Sequence, residues 1–185
     1  MEIFILLVLA FVILLIPTAY AGFIGAPYAP TFSPAIKEAF DYIKLGPKDT
    51  LIDLGAGDGK VLLAAAKRGA HALGYELSPI MWTIIFFRAL GNRKVKIKLR
   101  NFYNVSLAKA CRAKPGGRSV VFAFLMPKHM EKVRQYLARQ TLRGGKYLLV
   151  YAFPLPAEVK PLHIIHAPQC ARLYIYDIKR LTKPS

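Results

Sequence analysis

The chain has 185 residues, 55% of them hydrophobic, and carries 27 Lys and Arg against 10 Asp and Glu, a formal net charge of +17. That length suits one domain with a real core, so disulfide staples are unnecessary, and two cysteines, Cys111 and Cys170, exclude both a disulfide framework and a four-cysteine zinc site. A mean hydropathy of +0.33 beside so large a charge requires the apolar and basic residues to be segregated along the chain.

They are segregated. No charged residue falls between Ile3 and Tyr28, and residues 3–16 are an unbroken run of Ile, Leu, Val, Phe and Ala without helical or strand periodicity. A segment apolar on every side is suited to hydrocarbon, and about 20 residues at about 1.5 Å per residue cross a bilayer. The expectation is a transmembrane anchor over residues 1–24. A cleaved signal peptide is the alternative: Ala19-Tyr20-Ala21 has the small-x-small form, but the basic stretch that precedes such peptides is missing, since only Glu2 is charged ahead of the run. All 27 basic residues follow the segment, which by the positive-inside rule puts the domain on the cytoplasmic side of a single-pass membrane protein. Residues 25–48 read as a Gly- and Pro-rich linker and a segment leading into the first motif, and residues 49–185 as the domain proper.

Within the domain, residues 50–54 form a short apolar strand that runs straight into Gly55-Ala56-Gly57-Asp58-Gly59, and residues 60–68 have helical spacing ending at Gly69. A second strand covers 71–76, and Pro79 opens a helix reaching about residue 90. Residues 95–100 alternate as a third strand, 119–124 make a fourth, 128–139 a helix and 146–153 a fifth strand after Gly144-Gly145. Residues 163–166 and 171–178, separated by a turn at Pro168, read as a closing hairpin. Strands alternating with helices in this order predict an α/β fold with a doubly wound, mostly parallel sheet.

The chemistry centres on the glycine-rich turn, which lets backbone approach a ligand closely and aims helix amides at it. Asp53 precedes the turn by two residues, and Glu76 ends the second strand roughly 20 residues beyond Gly55, where an acid in nucleoside-cofactor sites accepts ribose hydroxyls. Asp53, Asp58 and Glu76 gather in one region of a very basic domain. That favours a cationic ligand: S-adenosylmethionine carries a sulfonium and an ammonium, whereas the pyrophosphate of a dinucleotide would be repelled.

At these residues the sequence resembles the class I, seven-strand S-adenosylmethionine-dependent methyltransferases, with a Rossmann-like sheet. More narrowly it resembles the small membrane-anchored protein-lysine N-methyltransferases whose animal members modify the adenine nucleotide translocator and the ATP synthase c-subunit. The segments behind this are Pro27-Tyr28-Ala29-Pro30-Thr31, Ile52 through Lys60, Gly74-Tyr75-Glu76-Leu77-Ser78-Pro79 and Phe124-Leu125-Met126-Pro127. The resemblance implies S-adenosylmethionine as cofactor, with Asp53, Gly55, Gly57 and Gly59 at its methionine moiety and Glu76 at the ribose. It places Asn101 and Phe102 at the adenine, with Asn101 standing where many relatives have Asp, and adds Ala56, Asp58 and Leu77 as further cofactor contacts. Tyr28 and Thr31, in the segment that closes over the site in such families, become candidates for lining a lysine channel.

Methyl transfer needs alignment more than a strong base, and no residue stands out as one. The four histidines lack metal-ligand spacing, so no metal is expected. Trp82 with Phe86 and Phe87 reads as helix core, and Lys94, Lys96 and Lys98 as a solvated strand edge. Eleven Lys and Arg with no acid between Leu77 and Met130 suit an anionic membrane surface, and no nucleic-acid module accompanies them. Three functions remain open: lysine methylation of a membrane protein, methylation of a small membrane-soluble molecule such as a quinone precursor or lipid, and a non-catalytic basic binding module.

Overall fold

Leu51 and Ile52 are adjacent and both fully buried, so the first strand is covered on both faces; this demands helices on each side of the sheet. The computed structural model describes residues 1–24, 33–110, 115–142 and 144–181. The strands are β1 Thr50–Asp53, β2 His71–Glu76, β3 Val95–Leu99, β4 Ser119–Ala123, β5 Gly145–Tyr151, β6 His163–Ile165 and β7 Leu173–Asp177, and the helices are α1 Glu2–Ile24, α2 Ser33–Tyr42, α3 Lys60–Lys67, α4 Pro79–Arg88, α5 Leu107–Ala110 and α6 Met130–Ala138. One mixed sheet has the order β3-β2-β1-β4-β5-β7-β6. The first five strands in that order are parallel, while β7 runs antiparallel to both β5 and β6.

Two apolar cores follow from the alternation along the strands. Leu51, Val120 and Leu149 point to one face, where Ile36, Phe40, Leu62 and Ile85 of α2, α3 and α4 pack. Ile52, Val121 and Leu148 point to the other, against Leu107 of α5 and Val133 and Leu137 of α6. The doubly wound sheet and the closing hairpin are as expected, with boundaries shifted by at most two residues.

Helix α2 is an element the linker reading of residues 25–48 did not contain. Ala35, Ile36, Ala39 and Phe40 are all buried. Their spacing, one helical face after Ser33-Pro34, is the signal that marks it in the sequence. At the end of this segment a clasp ties it to the sheet. The Asp49 carboxylate, only 4% exposed, accepts from the Arg118 backbone amide at 2.9 Å, from Arg118 Nη2 at 2.6 Å and from the Gly46 amide at 3.0 Å. Arg118 also donates to the carbonyls of Ile43 and Lys44, each at 2.7 Å. Every nitrogen of the guanidinium is used to hold the α2–β1 turn against the start of β4.

Helix α1 is 23 residues long, and its large apolar side chains at 3–9, 11–13, 15 and 16 are exposed. Its side chains are described without interruption only as far as residue 13, and no run of described residues is long and apolar enough to cross a membrane. The C-terminal part of α1 reaches the domain at α4, where Thr18 Oγ1 lies 3.2 Å from Ser78 Oγ.

Burial pushes the Asp49 carboxyl up, but the Arg118 contacts outweigh it and hold it below the usual carboxylate range. A depressed folded-state value contributes stability that is present above the unfolded value of about 3.9 and is lost as pH falls through the folded value. Arg118→Ala should therefore cost about 3–5 kcal/mol at neutral pH, the penalty of orphaning a buried charge, and the deficit should shrink as Asp49 becomes protonated below about pH 4. Urea unfolding of wild type and variant across that range measures both effects.

Candidate active site

The carboxyl ends of β1, β2, β4 and β5 lie along one edge of the sheet because these strands are parallel. Connections leave β1 and β4 toward opposite sides, so a crevice opens between their ends. The 54–59 turn sits there. Gly57 and Gly59 have φ of 53° and 78°, the left-handed region, and a Cβ on Gly59 would stand 2.8 Å from Ile85 Cγ2. Glycine at 59 is thus required both by the backbone and by close packing of the turn against α4. The Ala56 methyl is buried and its amide donates to the Tyr75 carbonyl at 2.9 Å, which locks the turn onto β2.

The expected carboxylates come together around this turn, each in a different condition. Glu76 Oε2 accepts from the Gly57 amide at 2.8 Å, and Oε1 accepts from the amides of Leu77 and Ser78, also at 2.8 Å. Asp53 is 1% exposed, and its Oδ1 accepts only a long 3.3 Å bond from the Gly55 amide. Burial raises its carboxyl well above the usual range; the Gly55 bond offsets a little of this, and the charges of Glu76 and Asp58 add to the rise. Asp58 is already neutralised. Burial would raise it, but Arg88 Nη1 at 2.8 Å and Lys60 Nζ at 3.7 Å hold it below the usual range. Among the described residues no Lys, Arg or His lies within salt-bridge distance of Asp53 or Glu76, so two carboxylates, not three, face the crevice without a cation.

Asn101 and Phe102 follow β3, whose end is tied to this region by the Arg100 amide donating to the Glu76 carbonyl at 2.9 Å. Asn101 Oδ1 accepts from the Tyr103 amide at 3.0 Å, capping the turn over Phe102–Asn104. Phe102 is buried in the α5–α6 core, 4.1 Å between centroids from Tyr103 and 5.7 Å from Tyr136. Tyr28 and Thr31 lie outside the described residues.

Three features of the site were not read from the sequence. Ser78 caps α4 by accepting from the Met81 amide at 3.2 Å, while its own amide holds Glu76 and its hydroxyl meets Thr18 of α1. Arg88 reaches back from the end of α4 to Asp58. Beyond β4 and β5, Phe124 meets Tyr151 edge-on at 5.0 Å and lies 6.4 Å from Phe153, making an aromatic wall at the same sheet edge. Aromatics at the ends of two adjacent parallel strands are the signal for that wall. The core reading of α4 needs correcting: Ile85 is its one fully buried residue, whereas Phe86 and Phe87 are exposed. A helix apolar all round does not reveal from periodicity which side meets the sheet.

A family model described as the ANTKMT methyltransferase domain matches residues 53–162. An ATP synthase c-subunit lysine N-methyltransferase of Xenopus laevis is 29% identical over 159 residues, which is 86% of this chain and 66% of that protein. An adenine nucleotide translocase lysine N-methyltransferase of Mus musculus is 27% identical over 82% of this chain and 63% of its own length. The chain spans about half to two thirds of the length of most curated relatives it matches. Among solved structures, an RNA methyltransferase from Salinibacter ruber in complex with S-adenosyl-L-homocysteine superposes with a TM-score of 0.70 at 23% identity, over 81% of this chain and 94% of that one. That likeness is one of fold.

The raised Asp53 carboxyl has a definite sign. Its contribution to stability is fully present below the unfolded value of about 3.9 and is lost as pH rises through the raised folded value, so the ligand-free protein carries a penalty at neutral pH. Asp53→Asn keeps the acceptor for Gly55 and removes the charge. It should raise Tm at pH 7 by about 2–4 °C, the shift roughly 1 kcal/mol makes in a chain of this size, and the gain should vanish below about pH 4. Calorimetry on the ligand-free chain over that pH range checks it.

Proposed function

This chain belongs to the ANTKMT methyltransferase domain family, and from that membership we propose that it transfers methyl groups from S-adenosylmethionine to a lysine side chain of a membrane-associated protein. The observation that carries the reading is the pair of carboxylates, Asp53 and Glu76, that no cation pairs among the described residues, beside a turn whose Gly57 and Gly59 keep backbone close to the crevice. This donor set fits the cofactor: negative groups for an ammonium and a sulfonium, and a carboxylate for a ribose. Glu76 has used three of its roughly four acceptor positions on backbone amides, and Oε2 keeps one for a ribose hydroxyl. Asp53, Gly55, Ala56, Gly57, Asp58 and Gly59 would hold the methionine end, with Asp58 acting through Arg88 and Lys60 to fix the turn. Leu77, Asn101 and Phe102 would border the nucleoside, Phe102 from within the core.

When bound, S-adenosylmethionine would supply a methyl group already activated for in-line displacement, with the sulfur as leaving group. The chain's part is alignment and desolvation. A lysine of reference pKa about 10.4 must be neutral to attack, and Phe124 and the exposed Phe153, backed by the buried Tyr151, would disfavour the charged form. Tyr28 and Thr31 are proposed to complete the channel from the preceding segment.

A membrane substrate is supported by the names of the relatives, which specify the ATP synthase c-subunit and adenine nucleotide translocase. It is supported also by α1, an apolar helix of 23 residues whose C-terminal part comes to Ser78 at the cofactor edge of the sheet. On this reading α1 is a single-pass anchor and the basic domain faces the anionic cytoplasmic leaflet, with the methyl-transfer edge near the bilayer.

Two measurements test the function. Glu76→Gln should weaken S-adenosylmethionine binding by roughly 10- to 150-fold, the worth of a charge-assisted hydrogen bond of about 1.5–3 kcal/mol, while the melting curve shows the variant folded. Unchanged affinity in titration calorimetry removes Glu76 from the ribose role. Full-length chain incubated with methyl-labelled cofactor and host membranes should place label on lysine of a membrane protein, seen as added methyl groups in its intact mass. Label confined to lipid or RNA extracts replaces the protein reading with one of the alternatives.

A further inference from the structure

Helix α4 carries an apolar face that the sheet does not use. Ile85 alone is fully buried, while Ile84, Phe86 and Phe87 are exposed, as is Leu90 in the turn that follows, with Phe87 at 65% and Leu90 at 70%. Residues 84, 87 and 90 recur at helical spacing, so these side chains form one outward stripe. Its aromatic members are pre-assembled: Phe86 stacks on Trp82 at 5.5 Å and meets Phe87 edge-on at 5.6 Å. A continuous exposed apolar face of this kind marks an interaction site.

Two observations say what covers it. The first is continuity. The exposed apolar helix α1 arrives at the first turn of α4 through Thr18 and Ser78, so the two apolar surfaces adjoin. The second is charge. The stripe borders the sheet edge formed by β3, where Arg93, Lys94, Lys96, Lys98 and Arg100 are all exposed, and no acid occurs between Leu77 and Met130. A second copy of this chain would bring like charges together. Apolar and aromatic side chains flanked by cations are instead the pattern of a surface lying in the headgroup layer of an anionic bilayer.

We propose that the outer face of α4, with the basic β3 edge beside it, is a second membrane contact that lies in the interface of an anionic leaflet. This rests on the reading of α1 as an anchor. An anchor alone leaves the domain free to swivel about one helix; a second contact removes that freedom. Because Ser78 begins α4 and its amide holds the Glu76 carboxylate, the contact fixes the cofactor edge in relation to the bilayer surface.

Trp82 is the single tryptophan of the chain and sits on α4, so its emission reports the contact directly. Full-length chain would be reconstituted in phosphatidylcholine–phosphatidylglycerol vesicles carrying bromine at a shallow or a deep acyl position. The shallow label should lower Trp82 emission by roughly half and the deep label less, since an interfacial helix enters only about 5–10 Å. The double variant Phe87→Glu, Leu90→Glu should float with the vesicles through α1 yet lose most of the quenching; both sites are exposed, and S-adenosylmethionine binding measured on the same sample verifies folding. Unquenched Trp82 in a wild-type chain that floats, or equal quenching in wild type and variant, overturns the α4 contact alone. Cross-linking of α4 to α4 without quenching assigns the face to a second copy and also overturns it. A chain that does not float overturns the anchor and this contact together, while a wild-type chain that floats but does not bind S-adenosylmethionine overturns the methyltransferase reading and leaves the contact to the quenching result.

Discussion

The position of β1 between β2 and β4, parallel to both, is the constraint on which the rest of the molecule depends. It puts the end of β1 at the point where the connections diverge, and the backbone after Asp53 turns sharply there to start α3. A turn there brings the amides of residues 55–59 and the acids at the ends of β1 and β2 into one crevice. The Asp49–Arg118 clasp secures the opposite edge, holding the entry to β1 against the entry to β4.

The three acids at the turn show why composition is a coarse guide to electrostatics. All three count equally in a net charge, but they do different work. Asp58 is an internal brace, paired with Arg88 across the gap between the turn and α4. Glu76 is an organiser whose oxygens already order three amides. Asp53 is buried, weakly bonded and close enough to the other two for their charges to matter. Only Asp53 is placed so that an arriving cation relieves a standing penalty, since ionising a buried carboxylate without a partner is costly. A cation held there would be bound partly by removal of that penalty, so that stability and binding would oppose each other at one residue.

Much of the sheet was legible because strand-forming runs of 50–54, 71–76 and 119–124 are bounded by glycine and polar residues, and because a parallel sheet leaves few ways to connect them. The acid–glycine–acid constellation was legible for the same reason: its spacing is set by one strand, one turn and one helix. Three things were not. Helix α2 was hidden by its proline- and glycine-rich approach, although Ala35, Ile36, Ala39 and Phe40 lie on one face. The outward face of α4 was hidden because Trp82, Ile84, Ile85, Phe86 and Phe87 leave no polar side to orient the helix, and only the packing of Ile85 over Gly59 shows which residue turns inward. The aromatic wall of Phe124, Tyr151 and Phe153 needed the strand order, since β4 and β5 are neighbours in space but separated in sequence by a helix.

A domain this basic would be expected to repel a cofactor whose reactive centre is cationic, and the geometry explains why it need not. At physiological ionic strength the Debye length is about 8 Å, so charges on the solvent-facing β3 edge are largely screened from a ligand in the crevice. Carboxylates inside the crevice are screened much less. The near field therefore belongs to Asp53 and Glu76 while the far field belongs to the lysines and arginines. Among the described residues Arg88 and Lys60 approach the turn, and Asp58 pairs with both. Separation by depth lets one small chain combine a positive exterior with a crevice whose nearest charges are negative.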